Sequence, residues 1–204
     1  MNHPWMGAAT LHEVMGRRGV FPTHVKPVHP TFRLSGRAFP VLCREGSNLA
    51  VHQAIYLAGP GDVLVVHVEA SGPDEYGYVG EIMAEAAKAR GLAGLVIDGC
   101  VRDAGPLLHV GFPVYAAGLS IRGTDKQPHP DPVVDEIDFG SCVVRKGDLI
   151  VGDEDGLVVV AAAEIDDVFA AGAAREEKEA DHIRRLRAGE RTLDLMGLPA
   201  LVTS

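Results

Sequence analysis

The chain has 204 residues, and 28 Asp and Glu against 19 Lys and Arg leave a formal net charge of −9. No basic run is longer than Arg184-Arg185-Leu186-Arg187. This balance speaks against nucleic acid or a membrane surface as the partner, since both call for concentrated positive charge.

At 47% apolar and 23% charged residues the composition is that of a globular protein able to bury a sizeable core. Cys43, Cys100 and Cys142 are odd in number, widely spaced and outside any CxxC pattern. They read as reduced core thiols rather than a disulfide framework or a structural zinc site. The N-terminus lacks the charged-then-apolar order of a signal peptide, and no apolar run approaches the roughly 18 residues of a spanning helix. A soluble cytoplasmic protein is the expectation.

In chain order, Thr10 is expected to start a helix, with Glu13 as its capping-box partner. Residues 19–40 are rich in Pro and His and read as irregular, leading into short strands around Gly36 to Leu42. A helix over about 47–58 ends at Gly59-Pro60-Gly61, and the apolar run Val63 to Val68 follows as a buried strand. After the acidic loop 71–78, Gly80 opens a strong helix that Gly91 closes. The strand Leu95-Val96-Ile97 is expected to stop at a tight Asp98-Gly99 turn, so residues 62–98 form one βαβ-like unit. A short helix near Asp103 and a strand at Pro113-Val114-Tyr115 follow. Residues 119–136 are polar and proline-rich, then strands are expected at 142–144, 149–151 and 157–160. A long charged helix over about 163–188 is more polar than a lone core helix, so one of its faces is expected to pack on a neighbouring subunit.

The chemistry concentrates between Gly80 and Asp103. Gly80-Glu81-Ile82-Met83 puts free backbone N–H groups and the positive end of a helix dipole where a substrate carboxylate can be held. Arg102 and Asp103 follow a strand, at the end where open α/β sheets collect ligands. Arg102 offers a fork for a carboxylate or enolate oxygen. Asp103 and Glu81 offer hard oxygen ligands for Mg²⁺ or Mn²⁺. The same residues also admit a plain reading, with Asp103 as a helix N-cap, Glu81 as a favourable first-turn acid and Arg102 as a surface ion-pair partner.

The string GEIMAEAAKARGLAGLVIDGCVRDAGPLLHVGFPVYAAG resembles the RraA-like family, which includes 4-hydroxy-4-methyl-2-oxoglutarate aldolase and the regulator of ribonuclease activity A. LHEVMGRRG, QAIYLAGPGDVLVV, KGDLIVGDEDGLVVV and AREEKEADHIRRLRAGE extend the likeness over nearly the whole chain, in the correct order. Its most specific element is an acid, twenty intervening positions and Arg-Asp, here Glu81, Arg102 and Asp103. The family's aldolases usually carry Asp at the position of Glu81, and often an acid at that of Pro106. The first change keeps a carboxylate on a longer arm, and the second removes one.

The resemblance implies a single α/β domain over 1–204, a layered β/β/α sandwich of the phosphohistidine-domain-like type, assembled as a homotrimer or a dimer of trimers. It implies a class II pyruvate aldolase that cleaves 4-hydroxy-2-oxo diacids and decarboxylates oxaloacetate. Asp103 would hold the Mg²⁺ or Mn²⁺, Arg102 would contact the small 2-oxo acid, and the Gly80, Glu81, Ile82 and Met83 amides would bind its carboxylate. Glu81 and a glutamate from a neighbour's C-terminal helix, with Glu179 as first candidate and Glu177 close behind, would hold a water that protonates the enolate. The rival from the same family is a non-catalytic regulator that binds a ribonuclease or another protein.

Some relatives have been labelled methyltransferases, but no glycine-rich cofactor loop follows the first strand here. None of the nine histidines stands at HxH or HxxxH spacing. His24 and His29 read as loop residues, and His52 and His67 as structural.

Overall fold

The computed structural model describes residues 3–70 and 75–199. Helix α1 (Ala8–Val14) leads to the two-residue strand β1 (Lys26–Pro27) and the long strand β2 (Leu34–Arg44). Helix α2 (Leu49–Leu57), β3 (Asp62–Glu69), α3 (Glu81–Ala89), β4 (Gly94–Val101), α4 (Ala104–Val110) and β5 (Val114–Leu119) then alternate. A ribbon of β6 (Glu136–Asp138) and β7 (Val143–Arg145) precedes β8 (Leu149–Gly152) and β9 (Leu157–Val160). Helix α5 (Ile165–Arg187) and the single turn α6 (Thr192–Leu195) end the described chain.

Seven strands form one sheet in the order β1-β5-β4-β3-β2-β8-β9. Strands β2 to β5 run parallel, joined through α2, α3 and α4. The expected βαβ unit is therefore present, and Val63 to Val66 of β3 are fully buried, as a parallel strand covered on both faces requires. Strands β8 and β9 extend the sheet in antiparallel fashion. The stretch before β2 is less irregular than its prolines suggest. Phe21 N donates to Leu157 O of β9 at 3.1 Å, while Lys26 and Pro27 pair with Ala116 and Tyr115 of β5. One short segment thus reaches both edges and nearly closes the sheet into a barrel. Helices α1 and α5 pack on β8 and β9 through a second apolar cluster that includes Leu11, Leu149, Val151, Ile165 and Phe169.

Two local expectations are corrected. Helix α1 starts at Ala8 rather than Thr10, so the Thr10–Glu13 capping box does not form. Gly7 occupies the cap position, and the buried Asp153 supplies the missing acceptor by taking the Ala8 N–H at 2.8 Å. Strand β4 does not stop at Asp98-Gly99. It runs on to Val101 across a register shift between Ile97 and Cys100. Its neighbours override the turn propensity: Asp98 Oδ1 accepts the Val68 N–H at 2.8 Å, and Gly99, lacking a Cβ, admits the Tyr78 ring and Val68.

Cys43 and Cys142 are buried. Burial pushes the Cys142 thiol up to about 11, in line with the core role expected of it.

His67 has the structural role expected of it, donating from Nδ1 to Asp98 Oδ2. That hydrogen bond raises the His67 pKa above 6.5, against the opposing effect of partial burial, with the Asp98 and Glu69 charges adding to the rise. A pKa raised on folding contributes stability that is fully present below the unfolded value and is lost as the pH climbs through the folded one. The stability difference between wild type and His67→Gln is therefore expected to be widest below about pH 6 and to shrink towards pH 8. Urea midpoints measured across that range check it, and a gap that widens with pH would contradict it.

Candidate active site

Two chain segments meet at the end of β4. The stretch before α3 runs beside it, with Tyr78 N donating to Cys100 O at 2.9 Å and Arg102 N donating to Val79 O at 2.8 Å. These two bonds set the N-terminus of α3 against Arg102 and Asp103. Gly80 is the N-cap of α3 in an extended conformation and lends no side chain to the helix. Asp103 provides the acceptor instead, its Oδ2 taking the Glu81 N–H at 3.1 Å. Asp103 occupies the N-cap position of α4 but makes no cap bond there. The plain capping reading thus fails in an informative way, because the carboxylate is turned towards another helix.

The packing is close. A Cβ on Gly80 would lie 2.3 Å from Asp103 Oδ2 and 3.1 Å from both Cγ and Nε of Arg102. Asp103 has φ 62° and ψ 41°, a left-handed conformation that a non-glycine residue adopts at a cost and that clusters at functional sites. Arg102 Nε stands 3.7 Å from Asp103 Oδ2, and about half of the Arg102 side chain is exposed. The guanidinium keeps free donors for a further oxygen.

A cavity of about 360 Å³ opens on this corner. Gly80, Glu81, Ile82, Met83, Arg102 and Asp103 all line it, so the structure brings together every predicted site residue except one. Pro106 also lines the cavity. Glu179 does not. It sits on α5 in an ion pair with Arg175 at 2.7 Å, and no residue of α5 lines this chain's cavity. Among the described residues no three His, Cys, Asp or Glu side chains gather around one point.

Part of the cavity lining was not legible in the sequence. It consists of Asn48 and His52 from α2 and its cap, with Thr124 and Lys126 from the loop after β5. Asn48 and His52 are four residues apart and so share a helix face, but nothing in the sequence links that face to residues 124–126. The tertiary link is a bridge between Ser47 and Asp125, reinforced by Ser47 Oγ donating to Gln127 O at 2.8 Å. Asn48 is buried. Its Nδ2 donates to Tyr78 O at 2.6 Å and contacts Met83 Sδ at 3.4 Å, bracing both sides of the Gly80 turn. Its Oδ1 is buried with no partner among the described residues. His52, expected to be only structural, is half-buried in the cavity wall. Burial and the nearby Lys126 cation lower its pKa below 6.5 and favour the neutral imidazole.

The sequence profile of the RraA-like family, described as aldolase/RraA, matches residues 8–159. The chain belongs to the RraA-like family. Among RraA-like relatives, a candidate 4-hydroxy-4-methyl-2-oxoglutarate aldolase of Halalkalibacterium halodurans is 34% identical over 171 residues, 80% of each chain. The crystal structure of an uncharacterized protein from Pseudomonas syringae superposes with a TM-score of 0.78 at 24% identity, covering 92% of this chain and 87% of that one, which shows the shared fold. That of Streptomyces coelicolor RraAS2, described as an unusual member of the RNase ES inhibitor RraA family, superposes with a TM-score of 0.72 at 26% identity, over 89% and 93% of the two chains. The α/β fold expected from the RraA-like resemblance is therefore the one observed, with its main sheet curled almost shut.

Proposed function

We propose that this RraA-like chain is a divalent-metal-dependent aldolase that cleaves 4-hydroxy-2-oxo diacids to pyruvate and also decarboxylates oxaloacetate, acting in the cytoplasm. The observation that carries the reading is the corner where the α3 amides, the Arg102 fork and the Asp103 carboxylate meet in one cavity. The aldolase names among its relatives support the same reaction class.

In this reading the N–H groups at the start of α3 hold the substrate carboxylate, helped by the positive end of the helix dipole. Arg102 directs its donors at the oxygen on which negative charge develops as the C–C bond breaks, where preorganised donors act most strongly. Lys126 gives the cavity a further cation suited to the second carboxylate of a diacid.

The donor set fits a hard cation. One or two carboxylates with the remaining positions left to water and substrate is the usual Mg²⁺ arrangement, and Asp103 with Glu81 provides it in this chain. Gly80 supports the fit, since any Cβ there would fill the space beside Asp103 Oδ2. When bound, Mg²⁺ or Mn²⁺ supplies Lewis acidity at the keto oxygen. Asp103 would hold it, and Glu81 would hold a proton-bearing water beside it, joined by Glu179 of a second copy. Ile82, Leu119 and Ile121 are exposed around the site, which supports assembly of a homotrimer or a dimer of trimers over it.

The purified protein is expected to release pyruvate from oxaloacetate and from a 4-hydroxy-2-oxo diacid with Mn²⁺ or Mg²⁺, and to stop in excess chelator. A lactate dehydrogenase-coupled assay reads both. A protein silent on every 2-oxo acid would instead favour a ribonuclease-binding regulator, the second reading, which the likeness to RraAS2 supports.

A further inference from the structure

Retro-aldol cleavage needs a base as well as an electron sink. The hydroxyl on C4 must lose its proton as the C3–C4 bond breaks, and the corner formed by Arg102, Asp103 and the α3 amides serves only the other half of the molecule. His52 and Lys126, which line the same cavity, carry the complementary chemistry. Resting on the lyase reading, we infer that His52 is the general base that accepts the C4 hydroxyl proton.

Three observations converge on it. His52 lines the same cavity as Arg102 and Asp103, together with Lys126. Its imidazole forms no hydrogen bond with any described residue, so a ring nitrogen is available to a substrate hydroxyl. Imidazole is also the one side-chain type in that cavity whose ordinary titration falls near neutral pH.

The other charged groups facing the cavity are less suited. Lys126 and Arg102 are cations, and Asp103 is engaged with the Glu81 amide and faces Arg102. Glu81 lies exposed at the start of α3. Lys126 acts on His52 from the adjoining loop, keeping the imidazole in the neutral form a base requires. The Oδ1 of Asn48, one helical turn before His52, is buried without a donor among the described residues, the kind of group that a bound water or ligand satisfies.

The step balances. The hydroxyl proton moves to His52, the O–H electron pair becomes the second bond of the new C4 carbonyl, and the C3–C4 pair passes to C3 as pyruvate enolate. The enolate takes a proton at C3, and His52 returns its own to solvent through the cavity mouth. Oxaloacetate decarboxylation yields the same enolate but has no hydroxyl proton to remove, so it separates the base from the rest of the site.

The test compares wild type and His52→Gln on both reactions with Mn²⁺ present. For His52→Gln, kcat/KM for cleavage of the 4-hydroxy-2-oxo diacid is expected to fall by about 10²-fold or more, with decarboxylation within about threefold of wild type. The wild-type cleavage profile should also lose activity as pH falls through the His52 titration, and the residual cleavage of His52→Gln should lack that limb. Equal losses in both reactions, or cleavage that survives the substitution, would overturn the assignment of the base alone. Wild type inactive on both substrates would overturn the lyase reading, and the base with it.

Discussion

Arg102→Ala is expected to lower kcat/KM for pyruvate release by about 10² to 10³-fold, the usual cost of removing a donor aimed at developing negative charge. The loss should not come from unfolding. The Arg102 side chain is half exposed, and its one ion pair within the described chain is the 3.7 Å approach to Asp103. The unfolding midpoint should therefore stay close to wild type, since exposed ion pairs contribute at most about 1 kcal/mol. Arg102→Lys keeps the charge but loses the planar fork, and should recover only part of the activity. Steady-state kinetics beside a urea melt decides the matter. An active Arg102→Ala protein would remove Arg102 from the chemistry.

Gly80→Ala should be almost as damaging to activity and nearly silent in stability, a combination few glycine substitutions produce. The Gly80 backbone is extended, at φ −139° and ψ −169°, so alanine adopts it without strain. A less flexible unfolded chain even favours the variant slightly. The added methyl group, however, would begin 2.3 Å from Asp103 Oδ2 and 3.1 Å from Arg102 Cγ and Nε. Both side chains have room to swing outwards, so the fold survives while the corner opens. A displacement of about 1 Å in a catalytic group costs on the order of 10²-fold. Gly77 offers the contrast: a Cβ there would meet the Ser120 backbone oxygen at 2.3 Å, which cannot step aside. Gly77→Ala is therefore a stability variant and Gly80→Ala an activity variant. A Gly80→Ala protein with full turnover would show that the close approach of Gly80 to Asp103 has no catalytic purpose.

Much of this architecture was legible beforehand because it depends on local pattern. The apolar run of β3, the glycine-bounded α3 and the charged α5 each carry a period or a stop signal within their own span. Gly80, Glu81, Arg102 and Asp103 could be paired because they flank one crossover unit, whose topology brings the end of β4 beside the start of α3. The errors fall where distant segments override local preference. Asp98-Gly99 has the composition of a turn, yet the Val68 amide and the Tyr78 ring hold it in β4. Thr10 has the composition of a cap, yet the acceptor at the start of α1 comes from Asp153, far along the chain.

The sequence by itself determined most of the elements, the crossover unit and the corner where Arg102 and Asp103 meet the start of α3, since each follows from spacing within a few tens of residues. Tertiary structure alone decided the part of the cavity lining that comes from α2 and the loop after β5. Asn48, His52 and Lys126 lie on an ordinary helix face and in a polar loop, and they become a site only where the Ser47–Asp125 bridge draws the two together. The physical reason is that a side chain's chemistry depends on its neighbours: His52 is held neutral by burial and by Lys126, two influences that no spacing along the chain records.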